Sequence, residues 1–163
     1  MIGCYPGSFD PPTIGHVAVA EAAVRHCGLE RLDLVLSEDP LGKPGATPLV
    51  ARVPLLEAAV AGRERLAVVQ SSSRLLVDLC AGYDVLVVGA DKWAQVLDPA
   101  WYGSEAARDE AVARLPRVVV APRAGMAVPG GVELLPVDPA VLGVSSSEVR
   151  AGRREWAAPP GPW

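Results

Sequence analysis

Short runs rich in valine and leucine recur along this chain, and the segments between them either carry helical spacing or break on glycine and proline. Residues 1–5 (MIGCY), 32–37 (LDLVLS), 66–70 (LAVVQ), 84–89 (DVLVVG) and 117–121 (RVVVA) read as buried strands, with VELLPV at 132–137 as a further one. In residues 14–27, Val17, Ala20, Val24 and Cys27 recur at helical spacing, and Gly28 stands where a C-terminal glycine would close the helix. Helical patterns return at 50–61, at 71–82 behind capping serines, at 91–113 with a break near Pro99, and at 145–152. Such alternation predicts an α/β fold, a Rossmann-like, doubly wound, mostly parallel sheet with helices on both faces and right-handed crossovers.

The length of 163 residues suits one domain able to bury its own core, which we place at 1–155, with 156–163 as an irregular tail docked loosely by Trp156 or Trp163. A net charge of −4 argues against a broad nucleic-acid surface, so any phosphate site must be local. No run approaches the ~18 apolar residues a membrane helix needs. MIGCYPGSFD has neither the basic start nor the apolar stretch of a signal peptide, which predicts a cytoplasmic protein without a membrane partner. Cys4, Cys27 and Cys80 are widely spaced and read as buried thiols, and no clustered carboxylates suggest a dedicated metal site. A homo-oligomer is among the assemblies open to such a chain.

In a doubly wound sheet, ligands bind outside the carboxyl ends of the strands, near the point where strand order reverses. That rule selects Pro6 to His16, Ser37 to Pro48, Gln70 to Arg74, Gly89 to Trp101 and the approach to Ser145. The first of these, YPGSFDPPTIGH at 5–16, passes from a strand into a helix. Gly7 lets a backbone approach a ligand, Ser8 offers a hydroxyl, and Pro11-Pro12 stiffens the loop. Gly15 and His16 then fall in the opening turn of the helix, where N–H groups and the dipole favour an anion. In VSSSEVR at 144–150, Ser145, Ser146 and Ser147 open a helix and Arg150 follows a turn later. Alone, this segment reads equally as an anion grip or as a serine cap with Glu148 completing a capping box. In GADKW at 89–93, Asp91 follows a strand end and suits a ribose hydroxyl, a metal-bound water or a helix cap. Trp93 and Trp101 offer flat faces for a ring, or places in the core. Lys43 sits in the Pro/Gly-rich loop after the second strand and Arg52 at the start of the helix that follows, whereas Arg63 and Arg65 read as an exposed charged turn.

Residues 5–16 resemble the G-x-F-D-P-x-[HT]-x-G-H signature of the nucleotidyltransferase superfamily that contains the nicotinate-nucleotide and pantetheine-phosphate adenylyltransferases. The chain departs from the commoner H-x-G-H form at Thr13, as members resembling pantetheine-phosphate adenylyltransferase also do. VSSSEVR is similar to the I-S-S-[ST]-x-x-[RK] motif of the adenylyltransferase branch. GADKW and VVVAPRAG at 118–125 look like segments of nicotinate-nucleotide adenylyltransferase, and Lys43-Pro44 looks like the phosphate-binding lysine of the pantetheine enzymes.

The resemblance implies an adenylyltransferase that moves AMP from ATP to a small phosphorylated acceptor and releases pyrophosphate. It implies catalytic roles for His16, Ser8 and Lys43, and nucleotide contacts from Gly7, Ser8, Phe9, Thr13, Gly15, His16, Gly89, Asp91, Ser145, Ser146, Ser147 and Arg150. Lys43, Arg52, Trp93 and Trp101 would meet the acceptor, and Mg²⁺ would ride on the triphosphate rather than in a protein cage. Nicotinate mononucleotide is the first choice of acceptor; phosphopantetheine, another phosphorylated acceptor and the use of CTP stay open. So does a nucleotide-binding regulator that has lost turnover.

Overall fold

In the computed structural model, residues 1–38, 45–73 and 75–163 are described. Six strands, β1 (Ile2–Gly7), β2 (Arg31–Ser37), β3 (Leu66–Ser71), β4 (Val85–Gly89), β5 (Arg117–Ala121) and β6 (Glu133–Leu134), form one sheet in the order β3-β2-β1-β4-β5-β6. Every pairing is parallel. The fold is the Rossmann-like α/β arrangement that the alternating pattern predicts. Leu34, Leu36, Val85 and Val87 pack into the core on one face, while Val35, Leu86 and Val88 pack on the other. Because successive side chains point to opposite faces, burial on both sides explains why Leu34 to Leu36 of β2 and Val85 to Val88 of β4 are apolar without alternation.

Among the described residues, five α-helices lie between strands, α1 (Ile14–Cys27), α2 (Leu49–Val60), α3 (Leu76–Leu79), α4 (Ala90–Leu97) and α5 (Glu105–Ala113), and α6 (Ser146–Arg150) follows the last strand. Thr13 caps α1, and Gly28 ends it in the left-handed conformation at φ 64°. The helix predicted over 71–82 shrinks to the single turn of α3, because β3 runs on through Ser71. The serines there do not cap a helix. Ser71 Oγ accepts the Ser73 N–H at 3.1 Å, and Ser37 Oγ donates to the Ser73 carbonyl at 3.1 Å. The helical pattern over 91–113 splits into α4, a 3₁₀ turn at Pro99–Trp101 capped by Asp98, and α5 capped by Ser104. VELLPV keeps only two residues in the sheet; Pro136, which follows soon after, has no N–H for a ladder.

The tail is held more firmly than the sequence suggests. Thr13 forms an antiparallel bridge with Ala157, the Ala158 N–H donates to the Pro12 carbonyl at 3.0 Å, and the Gly161 N–H donates to the Ala58 carbonyl at 2.9 Å. Arg63, expected in an exposed turn, instead has an 8% exposed side chain. It pairs with Glu21 at 2.8 Å, donates to the Gly161 carbonyl at 2.7 Å and lies 5.1 Å from the centre of the Trp163 ring. The three cysteines are buried and unpaired, and burial pushes the Cys80 thiol up to about 11, which makes it a poor nucleophile. No helix among the described residues is long and apolar enough to cross a membrane.

At the sheet edge, Glu133 on β6 accepts from Arg117 Nε at 2.8 Å and Nη2 at 2.6 Å, and its Oε1 lies 2.8 Å from Nε2 of His26 in the last turn of α1. The hydrogen bonds from Arg117 and His26 hold the Glu133 carboxyl near about 2, below its ordinary 4.5. A depressed carboxyl contributes stability above its unfolded value and loses it as the pH falls through the folded one. Glu133→Gln is therefore expected to lower the melting temperature by about 2–4 °C near neutral pH, a modest effect because the pair is partly solvated. The gap to the wild type should close as the pH falls from 4.5 to about 2. Thermal melts across that window check it, and a constant gap would mean that Glu133 acts through packing.

Candidate active site

Strand order reverses between β1 and β4, which pair only through Gly3 with Val85 and Cys4 with Leu86, so their carboxyl ends diverge. A cleft of about 380 Å³ opens there, walled by the β1–α1 loop, α3, one side of α4, the turn through Tyr102, the end of β5 and residues 141–150.

The β1–α1 loop is built around Phe9, a buried residue at φ 45°. A non-glycine residue held there is strained, and packing on both sides keeps it in place: its ring meets Tyr5 edge-on at 5.3 Å and His16 at 5.0 Å. Gly7 is required by the same ring, since a Cβ at that position would lie 2.8 Å from the Phe9 side chain. His16 is fixed through its other edge. The Thr13 N–H donates to His16 Nδ1 at 3.0 Å, while Thr13 Oγ1 accepts the His16 N–H at 3.2 Å, a reciprocal box that starts α1. With Nδ1 accepting, the neutral ring carries its proton on Nε2. Threonine at position 13 thus supplies the helix cap as well as lining the cleft. Ser8 and Gly15 also line it.

The serine motif is fastened to this loop from a sequence distance of over a hundred residues. Ser145 caps α6 by accepting the Glu148 N–H, Ser146 Oγ donates to the Pro11 carbonyl at 2.7 Å, and Arg150 donates through Nη1 to the Asp10 carbonyl and through Nη2 to Ser147 Oγ. Ser145, Ser146, Ser147 and Arg150 all line the cleft beside His16. Burial raises the Asp10 carboxyl, but hydrogen bonds from Thr47 and the charges of Arg150 and Arg52 outweigh it and hold the group below the usual carboxylate range. The loop is therefore clamped by two arginines, Arg52 at the Ser8 carbonyl and Arg150 at the Asp10 carbonyl.

Two residues expected at the acceptor do not reach the cleft. Arg52 is 1% exposed and donates to three backbone carbonyls: Thr47 at 2.6 Å, Ser8 at 3.0 Å and Ser37 at 3.1 Å. It ties three loops together from behind, a structural use of a planar fork with several donors. Trp93 is 7% exposed in the core with Ala90 and Val96. Trp101, by contrast, is 40% exposed and lines the cleft, as do Gly89 and Asp91. Lys43, most of the loop around it, and Arg74 lie outside the described residues.

The structure adds lining residues beyond those singled out one by one from the sequence, some of them inside the selected Gly89 to Trp101 segment. Leu75, Leu76 and Leu79 from α3 form an apolar wall; Lys92, Gln95 and Val96 from α4 and Tyr102 stand in the lining too. Lys92 Nζ donates to Gln95 Oε1 at 2.8 Å. The spacing of 92, 95 and 96 on one helix face was a usable signal. Arg123, two residues past β5, also lines the cleft and pairs with Asp91 at 3.2 Å, which brings the GADKW and PRAG segments together.

Comparison with known proteins places this geometry. The phosphopantetheine adenylyltransferase of Dehalococcoides mccartyi is 37% identical over 97 residues, 56% of this chain and 58% of that protein. A probable nicotinate-nucleotide adenylyltransferase of Rubrobacter xylanophilus is 35% identical over 80 residues, 47% of this chain and 36% of that protein. The matched stretches thus span 58% of one relative and 36% of the other. Among solved structures, nicotinic acid mononucleotide adenylyltransferase of Plasmodium falciparum complexed with APC superposes with a TM-score of 0.69 at 16% identity, over 92% of this chain and 82% of that one, a likeness of fold. The family profile described as cytidylyltransferase-like matches residues 4–152, from the first strand past the serine motif, and by that match the chain belongs to the cytidylyltransferase-like family.

Proposed function

We propose that the chain is an adenylyltransferase that moves AMP from ATP to nicotinate mononucleotide. The observation that carries this reading is the joining of His16 and the Ser145–Arg150 motif in one cleft that is also lined by Leu75, Leu76, Leu79 and Trp101. The motif suits a triphosphate; the aromatic and apolar lining suits a ring.

In this reading an acceptor phosphate oxygen attacks the α-phosphorus of ATP, the bond to the bridging oxygen of the β-phosphate breaks, and pyrophosphate leaves with the electron pair. No covalent enzyme intermediate is needed, so catalysis consists of positioning and charge stabilisation. His16 Nε2–H meets the α-phosphate as charge develops, with the ring aimed by Thr13 and Phe9. Ser8 orients the reacting phosphates, a role the sequence resemblance extends to Lys43. Ser145, Ser146 and Ser147 with Arg150 hold the β- and γ-phosphates. Gly7, Gly15 and Gly89 give backbone access to the nucleotide, and Asp91 takes a ribose hydroxyl. The triphosphate would hold Mg²⁺ mainly through its own oxygens, with Asp91 and the serine hydroxyls as the hard oxygen donors at hand in the cleft.

Trp101 supports a flat acceptor ring, whereas the leucines of α3 would equally suit the flexible arm of phosphopantetheine. Trp101→Ala is expected to weaken acceptor binding about tenfold with little change for ATP, since stacking of this kind contributes ~1 kcal/mol beyond area burial. Titrating the wild type and the variant with nicotinate mononucleotide and with phosphopantetheine tests the choice. Saturation by phosphopantetheine alone, indifferent to Trp101, would overturn the nicotinate reading.

A further inference from the structure

We propose that Arg123 is a positioning residue for the nucleotide, holding the Asp91 carboxylate over the end of β4 in the orientation that receives the ribose hydroxyls. The proposal rests on the adenylyl-transfer reading of the cleft and assigns a task to a residue outside its two phosphate motifs. Arg123 stands just beyond β5 and is preceded by Pro122, which restrains the backbone from which it projects. Its Nη1 lies 3.2 Å from Asp91 Oδ2. The other carboxylate oxygen, Oδ1, folds back over the strand end, 2.9 Å from where a Cβ on Gly89 would stand. Asp91 is thus held by a cation at one oxygen, and glycine at position 89 leaves the room that the other oxygen occupies in this orientation.

Stability does not account for this pair. Its side chains are 38% and 55% exposed, and exposed ion pairs contribute little to folding. Both residues nevertheless line the cleft, and they bridge the ends of β4 and β5 beside the point where strand order reverses. An unrestrained aspartate at a helix start turns freely toward water or the helix N–H groups. One held by a guanidinium keeps its remaining lone pairs directed into the cleft, where a vicinal diol donates two hydrogen bonds to a single carboxylate.

The test is equilibrium binding of ATP, 2′-deoxyATP and 3′-deoxyATP by calorimetry to the wild type, Arg123→Met, Arg123→Lys, Asp91→Asn and Gly89→Ala, with thermal melts to confirm folding and pyrophosphate release measured separately. The wild type should prefer ATP to at least one deoxy analogue by about tenfold, the scale of a hydrogen bond to a charged group. Arg123→Met should bind ATP about tenfold more weakly, leave that deoxy analogue unchanged and so lose the preference; Arg123→Lys should recover part of it. Asp91→Asn and, if folded, Gly89→Ala should lose it as well. A preference kept in Arg123→Met, with affinity falling equally for all three nucleotides, would overturn the proposal and assign Arg123 to the phosphates. No change at all, or a wild type without any preference, would also overturn it. Hydroxyl-dependent binding that follows Arg123 in a protein releasing no pyrophosphate would uphold this inference while sinking the transfer reading.

Discussion

His16→Ala is expected to lower turnover by ~10²-fold or more while ATP affinity changes little. The imidazole is held by the Thr13 N–H at Nδ1 and by the edge of Phe9, so its Nε2–H is aimed before substrate arrives. A preorganised donor directed at charge that grows only in the transition state acts on turnover, and removing one such donor typically costs about 10²–10³-fold. The same side chain also completes the helix cap, so the variant should melt somewhat lower. His16→Gln, measured beside it, separates the effects: a lower melting temperature with normal turnover in the alanine variant would leave His16 a capping residue and no more.

Arg150→Ala is expected to raise the Michaelis constant for ATP by about 10–100-fold, the range of a charge-assisted hydrogen bond, with a smaller effect on turnover. Arg150 touches the Asp10 carbonyl and Ser147, and the proposed reading assigns it to the β- and γ-phosphates rather than to the reacting phosphorus. Its removal also loosens the loop, and Ser146→Ala supplies the control. That change deletes the 2.7 Å hydrogen bond to Pro11 but keeps the cation, so it should raise the constant only a few-fold. Equal effects from the two variants, or calorimetric ATP affinity unaltered by Arg150→Ala, would make Arg150 a strut between the motifs.

What the sequence disclosed depended on how local the determining forces were. The long strands were legible because burial on both faces leaves them mainly apolar, with Asp33 of β2 a buried exception, and α1 was legible from its apolar spacing and the closing glycine. The two end motifs could be found as strings, but their meeting through Ser146 and Pro11 is a contact between residues 135 apart. Arg52 was illegible for the same reason: a lone arginine looks alike whether it is solvated or buried, and its partners come from three separate segments. Trp93 could have been read better, since positions 90, 93 and 96 share the buried face of α4, whereas Trp101 lies beyond the break at Pro99. The serines at 71–73 look like a cap, yet the Ser71 hydroxyl closes a turn and the Ser73 carbonyl accepts from Ser37 at the end of β2, which no helical pattern reveals.

The central claim is that the cleft joins AMP to an acceptor phosphate, and it is tested most directly with ATP labelled at the α-phosphorus. Purified protein with Mg²⁺ is incubated with nicotinate mononucleotide, with phosphopantetheine or with neither, and CTP runs in parallel. The account predicts pyrophosphate release that requires an acceptor, with the label recovered in a dinucleotide when nicotinate mononucleotide is supplied and turnover by ATP far above that by CTP. ATP bound with ordinary affinity but never consumed with any acceptor would contradict it and leave a nucleotide-binding regulator in its place.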